Sequence, residues 1–175
     1  MPDERKGVVT LKGNPVTLGG PEIKPGQAAP DFTAVDNGLK PVTLAEGRGK
    51  VLILSSVPSL DTPTCDTETR RFNQEVGKLS GVEVWTISMD LPFAQKRWCA
   101  AAGASAVKTF SDFRDRAFGT AYGVQIKDGP LAGLDARAVF VVGKDGKVTH
   151  VEYVKEIASE PNYEAALQAA KKAAG

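Results

Sequence analysis

The residues best suited to covalent chemistry are the two cysteines, Cys65 and Cys99. Cys65 lies in the segment PSLDTPTCDTE, where an apolar run over residues 51–57 gives way to a helical pattern. Pro58 and Pro63 stop the strand from continuing, because proline fixes φ and donates no backbone hydrogen bond. The sequence therefore predicts that Cys65 lies in or beside the first turn of a helix that follows a buried strand.

A cysteine in the first turn of a helix lies in an environment that favours an anion. The backbone N–H groups are unpaired there, the positive end of the helix dipole is close, and a thiolate is the reactive form of a thiol. Thr62 and Thr64 are suitable caps for this helix. Asp66 and Glu68 lie in the same turn and oppose a second negative charge. A reactive Cys65 therefore needs a cation from a distant part of the chain.

Length, composition and charge limit the classes of function. The chain has 175 residues and a net charge of +1, with ordinary apolar and charged fractions. We predict a single domain over residues 1–175 and no binding to nucleic acid or to a membrane surface. No apolar run approaches the roughly 20 residues that span a bilayer. Because the first residues, MPDERKGVV, contain no apolar signal core, we expect a cytoplasmic protein.

Two cysteines and one histidine are too few for most metal sites, since a structural zinc ion takes four ligands. No metal or cofactor is therefore expected. The two cysteines do not form a CxxC motif. In a reducing cytosol a permanent disulfide is disfavoured, whereas a transient catalytic disulfide is permitted.

The hydrophobic pattern alternates between strand and helix periods. This order predicts an α/β protein with a mixed central sheet and helices on both faces, which fits a thioredoxin-like architecture with an N-terminal β-hairpin extension over about residues 7–18. The predicted strands cover residues 8–11, 16–18, 32–35, 42–44, 51–57, 82–88, 107–110, 136–142 and 148–154, and the predicted helices cover residues 65–79, 91–102, 114–122 and 161–174.

Pro58, Thr62 and Cys65 form the pattern Pro-x-x-x-Thr-x-x-Cys, which resembles the peroxidatic motif of peroxiredoxins. The similarity is greater to the thiol peroxidase branch, an atypical two-cysteine group, and it runs along nearly the whole chain. The blocks that carry it are GNPVT at 13–17, SLDTP at 59–63, RFN at 71–73, DLPFAQ at 90–95, YGV at 122–124, DGPL at 128–131, GL at 133–134, ARAV at 136–139 and EPNYEAAL at 160–167.

The resemblance implies a role for each candidate site residue. Cys65 corresponds to the peroxidatic cysteine, and Thr62 would hydrogen-bond both its thiolate and the incoming peroxide. Arg137 corresponds to the second-site arginine of the family and would be the distant cation. Pro58 would shield the pocket. Cys99 corresponds to the resolving cysteine in the same chain.

The resemblance also implies an activity. The protein would reduce hydroperoxides, both alkyl hydroperoxides and hydrogen peroxide, through a sulfenic acid at Cys65. An intramolecular Cys65–Cys99 disulfide would follow and would be reduced by thioredoxin, and the protein would be a homodimer. A disulfide needs Cα atoms within about 7 Å, and two intact helices need not allow this. We therefore predict that residues 91–103 unwind on oxidation.

Alternative interpretations stay open at this point. Cys65 could be a small apolar residue at a helix start, and Cys99 a buried free thiol beside Trp98. Arg137 could face the surface, and Thr62 could serve only as a helix cap. A cysteine hydrolase would need His150 as its base. A thioredoxin-type reductase would need a CxxC motif. A non-enzymatic redox-sensing thiol protein would use the same two cysteines.

Overall fold

The computed structural model describes residues 3–175, so Met1 and Pro2 of the predicted domain lie outside the described residues. Within that range the strands are β1 (Glu4–Leu11), β2 (Asn14–Gly19), β3 (Thr33–Val35), β4 (Pro41–Thr43), β5 (Val51–Ser56), β6 (Val82–Ser88), β7 (Val107–Ser111), β8 (Gln125–Ile126), β9 (Ala138–Val142) and β10 (Val148–Tyr153). The helices are α1 (Pro63–Val76), α2 (Pro92–Ala102), α3 (Ala117–Tyr122) and α4 (Tyr163–Ala174), with one 3-10 turn at Leu44–Gly47. None of the helices in this part of the chain is long and apolar enough to cross a bilayer.

Seven strands form the central sheet in the order β10-β9-β5-β6-β7-β3-β4. Strands β5, β6 and β7 are parallel, and the pairings of β9 with β5, β10 with β9, β3 with β7 and β4 with β3 are antiparallel. The predicted mixed sheet is therefore confirmed. The carboxyl ends of the parallel strands lie at the same end of the sheet. Pro58, Asp90 and Asp112 follow these strands there. The connections that follow these strands therefore begin at the same end of the sheet.

The N-terminal hairpin is also confirmed, since β1 and β2 pair antiparallel. The turn between them uses Lys12 and Gly13, both with positive φ. A third strand, β8, pairs with β2 through Leu18 and Ile126. This strand was not predicted from the sequence, because two residues are too few to show an alternation of apolar and polar side chains.

The sheet carries an apolar layer on each face. Alternate residues of β5 point to opposite sides, so that Leu52 and Leu54 join one core while Val51 and Ile53 join the other. The first core contains α3 and a group of packed aromatic rings made by Phe118, Tyr122 and Phe140. The second core contains side chains of α1, α2 and α4 together with Cys65. Helices therefore cover both faces, as predicted.

Some boundaries differ from the prediction. Helix α3 begins at Ala117 rather than near residue 114, because Arg116 has a positive φ of 52°. The carboxylate of Asp112 accepts the N–H groups of Phe118 and Gly119 at the start of this helix. Helix α4 begins at Tyr163, where Asn162 accepts the N–H of Ala165 as an N-cap.

Candidate active site

Cys65 lies in the first turn of α1, as the sequence predicted. The helix begins at Pro63 after Thr62, whose backbone is extended, and the side chain of Cys65 is completely buried. Its sulfur therefore lies near the unpaired N–H groups of the helix start and away from bulk water. Because the sulfur is shielded from solvent, its reactivity depends on the charges and hydrogen-bond donors immediately around it.

The guanidinium of Arg137 is the neighbour that contacts this sulfur. Nη2 of Arg137 donates to Sγ of Cys65 at 3.2 Å, and Nε donates to the carbonyl oxygen of Ile157 at 2.8 Å. The arginine side chain is only 2% exposed. It comes from the segment just before β9, so a part of the chain distant in sequence supplies the cation that Cys65 requires. The structure thus brings Arg137 and Cys65 together.

Glu68 completes this buried group, and the sequence analysis assigned it no role beyond an opposing charge. Its Oε2 accepts from Nη1 of Arg137 at 2.5 Å, and its Oε1 accepts from the hydroxyl of Ser55 at 3.1 Å. Glu68 is three positions after Cys65 on α1, and residues at that spacing share one face of a helix. That spacing was the signal that could have identified Glu68 as a partner of the same cation.

The charges of this group differ from those of exposed side chains. Burial raises the pKa of Glu68 to about 7, although the nearby charge and hydrogen bond of Arg137 and the hydroxyl of Ser55 lower it. Burial also disfavours the charged form of Arg137, but Glu68 and Cys65 outweigh that effect and hold the pKa of Arg137 above its usual value. Arg137 therefore keeps its charge at neutral pH, while Glu68 is harder to ionise than an exposed carboxylate.

Asp66, the acidic residue in the first turn of α1, has partners other than the sulfur. Its Oδ1 accepts from Nε1 of Trp98 at 2.9 Å, and its Oδ2 accepts from Nε of Arg70 at 2.9 Å. Asp66 therefore joins α1 to α2 and pairs with a cation on its own helix.

The loop before Cys65 contains the other two predicted site residues. Pro58 is buried and lies two residues after the end of β5. The hydroxyl of Thr62 donates to the carbonyl oxygen of Ser59 at 3.0 Å, so its single proton is directed to the backbone rather than to the sulfur. A contact of Thr62 with a peroxide stays a prediction, as does a shielding role for Pro58.

Asp90 holds this loop against the end of β6. Its Oδ1 accepts from the hydroxyl of Ser59 at 2.6 Å, and its Oδ2 accepts from the N–H of Leu60 at 2.8 Å. Asp90 also precedes α2, the helix that carries Cys99. The role of Asp90 was not predicted, because contacts between a loop carboxylate and a distant loop leave no pattern in the sequence.

Cys99 lies near the C-terminal end of α2 and is partly exposed. It packs against the same apolar core that contains Cys65, so the two cysteines lie on the same face of the sheet. Both are free thiols in this structure. The Cys65–Cys99 disulfide therefore stays a prediction.

His150, the base that a cysteine hydrolase would need, lies on β10 opposite Val141. It is half-buried, and burial lowers its pKa. The sulfur of Cys65 has Arg137 as its hydrogen-bond partner instead. A cation that donates to sulfur cannot take a proton from it, so this arrangement favours redox chemistry over hydrolysis.

Comparison with known proteins gives a consistent result. The family model described as Redoxin matches residues 24–167. The thiol peroxidase of Halalkalibacterium halodurans is 56% identical over 94% of this chain and 98% of its own length. The thiol peroxidase of Bacillus subtilis is 54% identical over 93% of this chain and 96% of its own.

Solved structures agree with the fold. A peroxiredoxin-like protein from Aquifex aeolicus superposes with a TM-score of 0.90 and 46% identity, covering 96% of each chain. A thiol peroxidase from Chromobacterium violaceum has the same fold, with a TM-score of 0.86 at 18% identity over 94% of this chain and 95% of its own. The thioredoxin-like architecture is thereby confirmed. The chain belongs to the Redoxin family, and within it to the thiol peroxidases, which are oxidoreductases that reduce peroxides with thiols.

Proposed function

We propose that Cys65 is the sulfur that peroxide oxidises, that Cys99 resolves the product, and that a thioredoxin-type dithiol restores both thiols. The observation that carries the proposal is the 3.2 Å contact between Nη2 of Arg137 and Sγ of Cys65. A guanidinium at this distance favours the anionic form of sulfur. Its planar fork can also contact a peroxide oxygen beside the sulfur, which a lysine could not do in the same way.

The first half-reaction oxidises Cys65. Its thiolate attacks the distal oxygen of a hydroperoxide, an S–O bond forms, and the O–O bond breaks. The departing oxygen takes up a proton and leaves as alcohol or water, and Cys65 becomes a sulfenic acid. Arg137 and the N–H groups at the start of α1 stabilise the negative charge that develops on both oxygens, as donors do in an oxyanion hole. Thr62 and Pro58 would border the space that the peroxide enters.

The second half-reaction involves Cys99. Its sulfur attacks the sulfur of Cys65, water leaves, and a Cys65–Cys99 disulfide forms. A reduced dithiol such as thioredoxin then reduces this disulfide by exchange through a mixed disulfide. We also propose that the protein acts in the cytoplasm, where such a reductant is maintained, and that it forms a homodimer like the one that the family resemblance implied.

Sustained turnover tests this proposal. With thioredoxin, thioredoxin reductase and NADPH, the wild-type protein should oxidise many equivalents of NADPH per chain when cumene hydroperoxide or hydrogen peroxide is added. Cys65→Ser should give no turnover. Turnover by Cys65→Ser at the wild-type rate would refute the assignment. A wild-type protein that forms the disulfide but stops after one equivalent would be a redox-sensing thiol protein instead.

A further inference from the structure

A short chain of side-chain contacts holds the sulfur of Cys99, and it involves three separate elements. Sγ of Cys99 on α2 lies 3.5 Å from Oγ1 of Thr109 on β7. The hydroxyl of Thr109 in turn donates to Oδ1 of Asn37 at 3.0 Å. Thr109 is only 4% exposed, so these contacts form beneath the helix. Nothing in the proposed reaction has yet used Thr109 or Asn37.

Which atom donates in the contact between Cys99 and Thr109 follows from the single proton of the threonine hydroxyl. A threonine hydroxyl has one proton and two acceptor lone pairs. Because Thr109 directs its proton to Asn37, its oxygen can only accept from Cys99. The thiol of Cys99 is therefore the donor, and Asn37 fixes this direction.

Asn37 is well placed to do so, because it lies in an ordered turn between β3 and β4. The carboxylate of Asp36 accepts the N–H groups of Gly38 at 2.8 Å and Lys40 at 2.9 Å. The turn therefore presents the Asn37 side chain to Thr109 in a fixed position.

The two halves of α2 are attached differently. In the N-terminal half, the buried side chain of Gln95 donates to the hydroxyl of Ser88 at 3.0 Å and to the carbonyl oxygen of Phe110 at 2.9 Å. In the C-terminal half, Trp98 donates to Asp66 of α1 at 2.9 Å, Cys99 contacts Thr109 on the sheet, and residues 100–102 after it are alanines. Alanines offer no polar attachment, so the contact with Thr109 is the one that Cys99 itself must break to leave.

We propose that Thr109, oriented by Asn37, is a positioning residue for the resolving step. Its hydroxyl oxygen accepts a hydrogen bond from the thiol of Cys99. This bond holds the C-terminal turn of α2 on the sheet while the protein is reduced. Cys99 reaches Cys65 only after this hydrogen bond breaks, so Thr109 sets how readily the resolving sulfur is released. This inference rests on the proposed role of Cys99 as the resolving cysteine.

Two variants separate the hydrogen bond from packing. Thr109→Val keeps the branched shape and removes the acceptor, whereas Thr109→Ser keeps the acceptor. The first readout is the S–H stretching band of Cys99, recorded by Raman spectroscopy in a Cys65→Ser background in which Cys99 is the only thiol. A thiol that donates a hydrogen bond has a lower S–H frequency. The band should shift upward in Thr109→Val and stay in place in Thr109→Ser, and this readout requires no catalysis.

The second readout is the rate of disulfide formation after one equivalent of hydrogen peroxide, followed by acid quenching and mass spectrometry in the protein with both cysteines. Thr109→Val should form the disulfide roughly three-fold faster, as expected for the loss of one weak hydrogen bond, and Thr109→Ser should match the wild type. If the S–H band of Cys99 does not shift in Thr109→Val, the thiol does not donate a hydrogen bond to Thr109 and the inference is refuted. A shifted band with an unchanged or slower rate would refute the positioning role. A wild-type protein that forms no disulfide would instead refute the proposed role of Cys99.

Discussion

Arg137 and Cys65 are 72 positions apart in the sequence, yet Nη2 of Arg137 donates to Sγ of Cys65 at a distance of 3.2 Å. The start of α1 places the sulfur, and the segment before β9 supplies the cation that donates to it. Since β5 and β9 are neighbours in the sheet, their adjacent ends bring these two groups together. The reactivity of Cys65 is thus a property of the folded sheet rather than of the local motif.

Replacement of Arg137 should slow the oxidation of Cys65 strongly. Arg137→Ala removes a preorganised donor, and the loss of one such donor typically costs about 3 kcal/mol, or about a hundredfold in rate. Stopped-flow measurement of the second-order rate with hydrogen peroxide would test this. Because Arg137→Ala also leaves Glu68 buried without its cation, Arg137→Met combined with Glu68→Gln is the matched control. A rate within three-fold of the wild type in both variants would contradict the role of Arg137.

Glu68 should make the stability of the protein depend on pH. Its pKa in the folded state, about 7, is higher than its usual value of 4.5. Between these values the folded state binds more protons than the unfolded state, so stability falls as the pH rises, by at most about 3 kcal/mol. Glu68→Gln removes this titration. Urea unfolding at pH 5, 6 and 7.5 should therefore show a shallower pH dependence in Glu68→Gln, and equal slopes in both proteins would contradict the prediction.

Asp135 should have an effect of the same sign on stability. Its side chain and that of Asp112 are both about 1% exposed, and burial together with the nearby Asp112 raises the pKa of Asp135 well above its usual value. Asp112 accepts two backbone N–H groups, so Asp135 keeps the shared proton. Stability from this proton is present at acidic pH and is lost as the pH rises through the folded-state pKa.

Asp135→Asn should therefore become more stable relative to the wild type as the pH rises from 5 to 9, measured by thermal unfolding. Asp112→Asn removes the neighbouring charge and weakens the cap of α3, so it should destabilise the protein at acidic pH and also reduce the pH dependence. A constant difference between Asp135→Asn and the wild type would contradict the shared proton.

The sequence predicted those features of the fold and site that depend on local pattern. Pro58, Pro63 and the apolar run before them were enough to place Cys65 at a helix start after a buried strand. The direction of Arg137 could not be predicted, because this residue precedes β9 and does not follow the alternation of the strand. The burial of Glu68 had only one sequence signal, its three-residue spacing from Cys65, because carboxylate side chains are almost always exposed unless they are paired.

The start of α3 was predicted wrongly because it also depends on contacts with distant residues. Arg116 adopts a positive φ that nothing in its residue type requires. Asp112 caps α3 from the end of β7, and Asp135 meets it from a connection that lies more than twenty positions later. Contacts of this kind depend on where the sheet places its connections, and a hydrophobic pattern carries no information about them.

Formation of the disulfide should open only part of α2. The sequence predicted that residues 91–103 unwind, but Gln95 anchors the N-terminal half of the helix to Ser88 and Phe110. Trp98 is likewise held to Asp66 of α1. We therefore expect amides of residues 99–103 to exchange faster with deuterium in the disulfide form than in the reduced form, while amides of residues 93–98 keep their protection. Hydrogen exchange with mass spectrometry on both forms measures this. Equal protection of residues 99–103 in the two forms would contradict the opening.

The central claim is that peroxide oxidises Cys65 and that Cys99 completes the reaction. The most direct test adds one equivalent of hydrogen peroxide to Cys99→Ser and to Cys65→Ser in the presence of dimedone, which labels sulfenic acids, and maps the label by mass spectrometry. We predict one dimedone adduct on Cys65 in Cys99→Ser and no rapid adduct on Cys99 in Cys65→Ser. A rapid adduct on Cys99, or an unlabelled and unoxidised Cys65, would contradict the account.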